Sequence, residues 1–440
     1  MQPDQQDLQY ATSRALRRIV PFITLMFILS FLDRVNVSFA KAGLQQATGM
    51  SDAAFAFGLG LFFVGYALFE TPSNIVMHRV GARVWLARIM ITWGLACAAT
   101  MFVTSTPLFY VMRSLLGIAE AGFFPGVLYY FTYWFPERVR AQAVGRLYYG
   151  LSLAFVIGGP VCGALLDLDG LGGLHGWQYM FLIEGLFTSI VGLAGLWYLI
   201  DRPADAKWLT PMQRLALEEE LAREIRAYQQ VPESSAWQLL LNAKVLYCSL
   251  IFFISGIGLY GVTFFLPSQI AQLMHRNMGF VSGLASAVPW ICAFALTATI
   301  PRWSDRTGER RYTSAACIAL GVFGILLAGG AFGPVGGFIG LCIATAGIVA
   351  AQPVYFALPA SFLCGRDAAA GLGIITSAGS IGAFVAPNLR VWAEHYFNAH
   401  ASGLYVISAT LGLNVLLLLC LPFVGIGDAR MRVNPDPLAR

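Results

Sequence analysis

The chain has 440 residues, 58% hydrophobic and only 12% charged, about half the charged fraction of a typical soluble protein. That composition excludes a water-soluble globular domain. The formal net charge of +5 is explained by Lys and Arg clustered between apolar runs, so nucleic acid is not an expected partner.

A helix crossing a bilayer needs about 20 apolar residues. In hydrocarbon, backbone groups must bond within their own segment, so the long apolar runs read as helices. The first 18 residues are polar and include Arg14, Arg17 and Arg18. No small-residue cleavage site follows the first apolar run, which is therefore expected to be a retained span and not a signal peptide. Spans are expected near 17–40, 54–77, 84–104, 107–130, 142–166 and 177–200, and again near 244–266, 280–300, 313–332, 337–359, 370–390 and 403–425.

An even number of spans puts both termini on one side. The alternating segments that hold most of the basic residues mark that side as cytoplasmic, because Lys and Arg accumulate there. The opposite loops are expected to hold only Lys41, Arg276 and Arg390. The expected organisation is a six-helix half over 1–200, a cytoplasmic linker over 201–242 and a second six-helix half over 243–440. Within the linker, Thr210-Pro211-Met212-Gln213 has the form of a capping box with Pro at the first helical position. It opens a short surface helix on which Glu219 and Arg223 are spaced to pair at i,i+4.

The halves repeat. His78-Arg79-Val80-Gly81-Ala82-Arg83 follows the second span and Asp305-Arg306-Thr307-Gly308-Glu309-Arg310 follows the eighth, with superposable Arg-x-Gly-x-Arg frames. Duplicated six-span halves are a common plan for secondary transporters, which hold substrate near the midplane between the halves. The eight cysteines have no metal-type spacing and read as packing residues. No Walker sequence, nucleophile triad or zinc spacing occurs, so neither ATP-driven pumping nor enzymatic activity is expected, and no cofactor other than a coupling proton.

At these loops the chain resembles the major facilitator superfamily, and within it the anion:cation symporters. The second loop fits the superfamily pattern from Asp305 onward. The first departs, with Asn74 in place of the leading Gly and His78 in place of the Asp. Further matches are Phe31-Leu32-Asp33-Arg34-Val35-Asn36, Arg113 through Glu120-Ala121-Gly122-Phe123-Phe124-Pro125-Gly126, Trp134-Phe135-Pro136, Gly176-Trp177-Gln178, Ile183-Glu184-Gly185, Phe265-Leu266-Pro267 and Gln352-Pro353-Val354-Tyr355. The resemblance spans nearly the whole chain and is nearest to bacterial sugar-acid carriers of the rhamnonate type, with tartrate and phthalate carriers close by. It implies an all-α membrane protein with twelve transmembrane helices in two halves around a central cavity. The expected carrier lies in the bacterial inner membrane, with a monomer as its expected working unit.

Charge at membrane depth costs on the order of 3 kcal/mol on insertion scales and marks function by default. Asp33, Arg34, Arg113 and Glu120 are such charges. Arg113 and Glu120 are seven residues apart and share a helix face. Counting the helical rise from the expected span ends puts Asp33 level with Arg113 and Glu120 about 10 Å deeper. Asp33 and Arg113 are therefore expected to pair. Glu120, with no base at its level, suits a proton carrier, and Arg34 is left to receive an anion bidentately. The four charges sum to zero, so a carboxylate is accommodated once Glu120 or Asp33 takes a proton. The resemblance likewise implicates Asp33 and Glu120 in proton coupling and Arg34 in substrate contact.

Substrate contacts are also expected from Arg113, Asn36 and Tyr66 in the first half. The second half has no charge well inside a predicted span, so Tyr260, Gln352, Tyr355, Thr376, Ser377 and Ser380 are its candidates for bonding the hydroxyls of a sugar acid. Arg79, Arg83, Asp305, Arg306 and Arg310 are expected to latch a cytoplasmic gate by binding helix ends. Glu184, also inside an apolar run, has two readings, a part in transport or bonds to neighbouring helices, and the second is expected. The competing readings are structural ion pairs in place of the site, exchange or uniport of a dicarboxylate or aromatic acid in place of symport, and a membrane sensor. A sensor would need an output domain that 201–242 and 426–440 are too short to supply.

Overall fold

The computed structural model describes residues 5–228, 236–330, 332–359, 362–363 and 365–426. Twelve helices in it are long and apolar enough to cross a membrane. In chain order they are span 1 (Gln5–Phe39), span 2 (Asp52–Val80), span 3 (Ala82–Phe102), span 4 (Thr106–Thr132), span 5 (Glu137–Leu166), span 6 (Gly176–Tyr198), span 7 (Ala243–Leu273), span 8 (Phe280–Thr307), span 9 (Arg311–Gly329), span 10 (Gly333–Phe356), span 11 (Ala370–Tyr396) and span 12 (Ala401–Leu419). Each expected span is present. The chain divides into two compact units, residues 1–231 with 279–283, and residues 232–278 with 284–440.

Within the first unit, span 3 packs along span 6, span 2 along span 4, and span 1 along span 5. In the second unit, span 9 packs on span 12 and span 7 on span 11, which repeats two of those pairings. With lipid as apolar as Leu, close helix approach depends on small residues. Gly185 of span 6 shows this: a Cβ there would lie 2.4 Å from the backbone of Gly94 and Ala98 in span 3.

Span 4 is broken where the sequence led us to expect one helix. It consists of Thr106–Glu120 and Phe123–Thr132, and the break falls at Gly122, in the left-handed region at φ +85°. Pro125 stands in the first turn of the second piece, where its missing N–H has no intrahelical partner to lose. The break makes Glu120 the last residue of its helix.

The polar N-terminal stretch is helical from Gln5 onward, earlier than expected. It is held by the connector between the halves: Arg14 Nη1 donates to the carbonyl of Trp208 at 3.1 Å, and Arg18 lies over the rings of Tyr198 and Trp208 at 5.6 Å each. The connector helix Pro211–Tyr228 opens with the expected reciprocal bonds between Thr210 and Gln213, both 3.3 Å. On it Arg223 pairs with Glu220 at i,i+3, not with Glu219, one helical step away.

Arg390 is also placed differently. It is not a loop residue but lies within span 11, 3% exposed. There it bonds Glu394 at 3.0 Å and the Gly261 carbonyl at 3.0 Å. A guanidinium that saturates the carbonyl end of one helix and a carboxylate one turn along its own can be buried.

Candidate functional site

Span 1 delivers Asp33, Arg34 and Asn36 over its last two turns. Asp33, Asn36 and Glu120 are 0% exposed and Arg113 2%. These charges face the interior of the first unit and not lipid.

Arg34 is paired with Glu120. Its Nε and Nη2 donate to Glu120 Oε1 at 2.9 Å and 2.5 Å. Glu120 Oε2 is buried with no hydrogen-bond partner among the described residues. The Arg34 guanidinium is also flanked by the rings of Phe31, Tyr66 and Phe62 at 4.9, 5.2 and 5.4 Å. Such ring faces complement a cation while excluding water. Tyr66 is thus part of the site, and Glu70, one turn further along span 2, lies within electrostatic reach of Arg34.

Asp33 does not pair with Arg113 as its depth suggested. Its oxygens accept instead from Trp93 Nε1 at 2.5 Å, Thr188 Oγ1 at 3.3 Å, Cys97 Sγ at 3.4 Å and Asn36 Nδ2 at 3.5 Å. Arg113 lies over Phe62 at 5.1 Å, and its Nε and Nη2 are buried without a hydrogen-bond partner among the described residues. The depth estimate failed because span 1 does not stop helically at Phe39. After a single turn residue the helix Lys41–Thr48 continues the run. Counted back from Thr48, Arg34 lies as many residues in as Glu120 does from Thr106, which makes those two level.

Glu184 of span 6, 4% exposed, bonds neighbouring helices as expected. Oε2 accepts from Asn36 Nδ2 at 2.9 Å and Oε1 from Cys162 Sγ at 3.2 Å. Asn36 therefore contacts both Asp33 and Glu184. The sequence reading missed Trp93, Cys97, Cys162 and Thr188, and treated the cysteines as packing only. The available signal was Trp93 and Cys97, one helical turn apart on span 3. Glu70 was missed too, although it stands alone as a charge in its apolar run.

The other substrate candidates lie in the second unit. Gln352 and Tyr355 of span 10 are buried, and Tyr355 meets the ring of Phe252 at 5.0 Å. Tyr260 packs on Phe264 at 5.4 Å. Thr376 Oγ1 is bonded to the carbonyls of Leu372 and Gly373 in its own helix, at 2.9 and 3.1 Å. Ser380 bonds back to the Thr376 carbonyl at 3.4 Å. Ser377 is half-buried.

In the repeated loops, Arg310 bridges Asp305 at 3.7 Å and donates to the Ala357 carbonyl, just past span 10, at 3.0 Å. Arg306 is exposed. In the first copy the backbone N–H of Arg83 donates to Asp201 Oδ1 at 2.8 Å. His78, standing where the repeat has Asp305, lies 2.6 Å from the Tyr129 hydroxyl. Arg79 is exposed.

Twelve spans and a buried charge cluster in the first unit define a polytopic membrane transporter. The chain belongs to the major facilitator superfamily, whose family profile matches residues 23–387. It is 39% identical over 404 residues to the inner membrane transport protein RhmT of Escherichia coli, covering 92% of this chain and 93% of that one. It is 40% identical over 406 residues to a putative tartrate transporter of Agrobacterium vitis, covering 92% and 89%. Among solved structures, the xylose transporter XylE from E. coli superposes with a TM-score of 0.71 at 16% identity, covering 93% of this chain and 98% of that one, a likeness of fold.

Proposed function

We propose that this chain is a proton-coupled symporter that imports a small organic anion across the bacterial inner membrane by alternating access. A sugar acid such as rhamnonate or another aldonate is its preferred substrate class. The reading rests on the Arg34–Glu120 pair. While Glu120 is ionised it occupies the guanidinium that an incoming carboxylate needs. A proton on Glu120 releases Arg34, and the substrate takes its two-point contact. Each ligand thereby favours the other, a reciprocal linkage from which co-transport follows. Protons are the coupling ion, with Asp33 the second acid, and no other cofactor takes part.

Arg113, Asn36 and Tyr66 complete the first unit's contribution. Tyr260, Gln352, Tyr355, Thr376 and Ser377 would bond substrate hydroxyls. Arg79, Arg83, Asp305, Arg306 and Arg310 would latch the cytoplasmic gate, a role supported by Arg310 capping a helix end. Both termini would be cytoplasmic, and the monomer would be the working unit.

A second reading, exchange or uniport of a dicarboxylate such as tartrate, is favoured by the unbonded Nε and Nη2 of Arg113 and by the name of the A. vitis relative. Uptake of a panel of labelled aldonates, tartrate and phthalate into proteoliposomes, with and without an imposed pH gradient, separates the two. Gradient-dependent accumulation of an aldonate supports the first reading. Gradient-independent uptake of dicarboxylates alone would replace it with the second.

A further inference from the structure

Glu184 changes the charge balance of the site. Asp33, Glu120 and Glu184 supply three acids against Arg34 and Arg113, so full ionisation would leave the buried group one charge negative. The Arg34 side chain is 12% exposed and Arg113 2%, and the three acids are at 4% exposure or less. Glu120 has its cation in Arg34. No Arg, Lys or His nitrogen lies within 4.0 Å of Asp33 or Glu184 among the described residues. Two buried carboxylates so close to each other cannot both ionise without a large cost.

The hydrogen bonds point the same way. Asn36 Nδ2 is within reach of both acids, 2.9 Å from Glu184 Oε2 and 3.5 Å from Asp33 Oδ1. Asn36 Oδ1, on a side chain 0% exposed, is buried with no donor among the described residues. Asn36 Oδ1 thus lacks a donor among those residues, and buried acceptors are nearly always satisfied. A proton on the neighbouring Glu184 carboxyl supplies one once the Asn36 amide turns its oxygen toward it.

We propose that Asp33, Asn36 and Glu184 form a second proton-binding site, in which the two carboxyl groups hold one proton between them, separate from the Arg34–Glu120 pair. Asp33 is the member built to carry charge, with Trp93, Thr188 and Cys97 donating to it. Glu184 takes the proton on Oε2, and the Asn36 amide turns so that its Oδ1 accepts from that hydroxyl while its Nδ2 donates to Asp33. The step is a proton transfer alone: the proton arrives from water, adds to a carboxylate oxygen, and leaves by the same route. The groups facing the couple are Trp93 and Cys97 of span 3, Glu120 and Arg113 of span 4, Cys162 of span 5 and Thr188 of span 6. This inference rests on the symport reading and adds to it a second coupled proton.

The test is the reversal potential of anion flux in proteoliposomes with known proton and anion gradients, which gives the proton-to-anion ratio. Glu184→Gln keeps the shape and the Asn36 contact but cannot hold the shared proton. The expected ratio is lower by one than in the unsubstituted protein. An unchanged ratio would overturn the second site. An unsubstituted protein that moves no protons would instead overturn the symport reading. Should Glu184→Gln not fold, infrared titration in a Glu120→Gln background decides. A neutral buried carboxylic acid band at pH 7 is expected, and its absence overturns the proposal.

Discussion

Both donors that Arg34 sends to Glu120 land on one oxygen, Oε1, at 2.9 and 2.5 Å, and Oε2 is left buried without a hydrogen-bond partner among the described residues. The pair meets through the Nε–Nη2 edge of the guanidinium on a single carboxylate oxygen, not as a closed two-point fork. A substrate carboxylate that accepts both donors in a fork offers Arg34 a better geometry than Glu120 does. Glu120→Gln therefore removes the competitor and the proton carrier together. It should lower accumulation driven by a pH gradient by roughly tenfold or more, while exchange of labelled for unlabelled substrate continues. Counterflow and gradient-driven uptake measured on the same vesicles check this; normal uphill uptake would remove Glu120 from coupling.

Arg34→Lys keeps the charge and loses the fork. An ammonium makes a point contact and fits less well among the rings of Phe31, Phe62 and Tyr66. Affinity should fall by roughly 30-fold, about 2 kcal/mol. Competition binding of the transported acid is the measurement, and an unaltered dissociation constant would take Arg34 out of the binding site.

Much of this arrangement was legible in the sequence, and the part that was not has a physical cause. The twelve spans, the repeated loops and the four intramembrane charges follow from apolar run length and from the cost of burying charge. The pairing did not follow, because it depends on where a helix truly ends. The sequence offers no stop between Phe39 and Lys41 or any sign that the run reaches Thr48. Span 4's break at Gly122 was also hidden, since Gly-Phe-Phe-Pro-Gly reads equally as a kinked continuous helix. The donors to Asp33 come from spans 3 and 6, far away in the chain, so only packing reveals them.

Gly122 is expected to tolerate no side chain. Its φ of +85° disfavours an L residue, and a Cβ would lie 2.4 Å from Ser73 Oγ. Gly122→Ala should cost about 2 kcal/mol and lower the thermal midpoint in detergent by a few degrees. A variant as stable as the parent would mean the break is not held as described.

Trp93→Phe removes one N–H from Asp33 and retains most of the ring, which meets Phe123 at 5.3 Å. A hydrogen bond to a charged group contributes about 2 kcal/mol. That loss should appear in unfolding by denaturant, with a larger loss for Trp93→Ala, where the buried ring volume is emptied as well. Equal stability of Trp93→Phe and the parent would show that the indole N–H does not support the carboxylate.

The most direct measurement is proton movement driven by substrate alone. Proteoliposomes with a pH indicator inside and equal pH on both sides are given the transported acid outside. Binding that is reciprocal at Arg34 and Glu120 requires the interior to acidify as the anion enters, and the acidification per anion to fall in Glu120→Gln. Entry of the anion with no change in internal pH would contradict the coupling of proton and substrate at that pair.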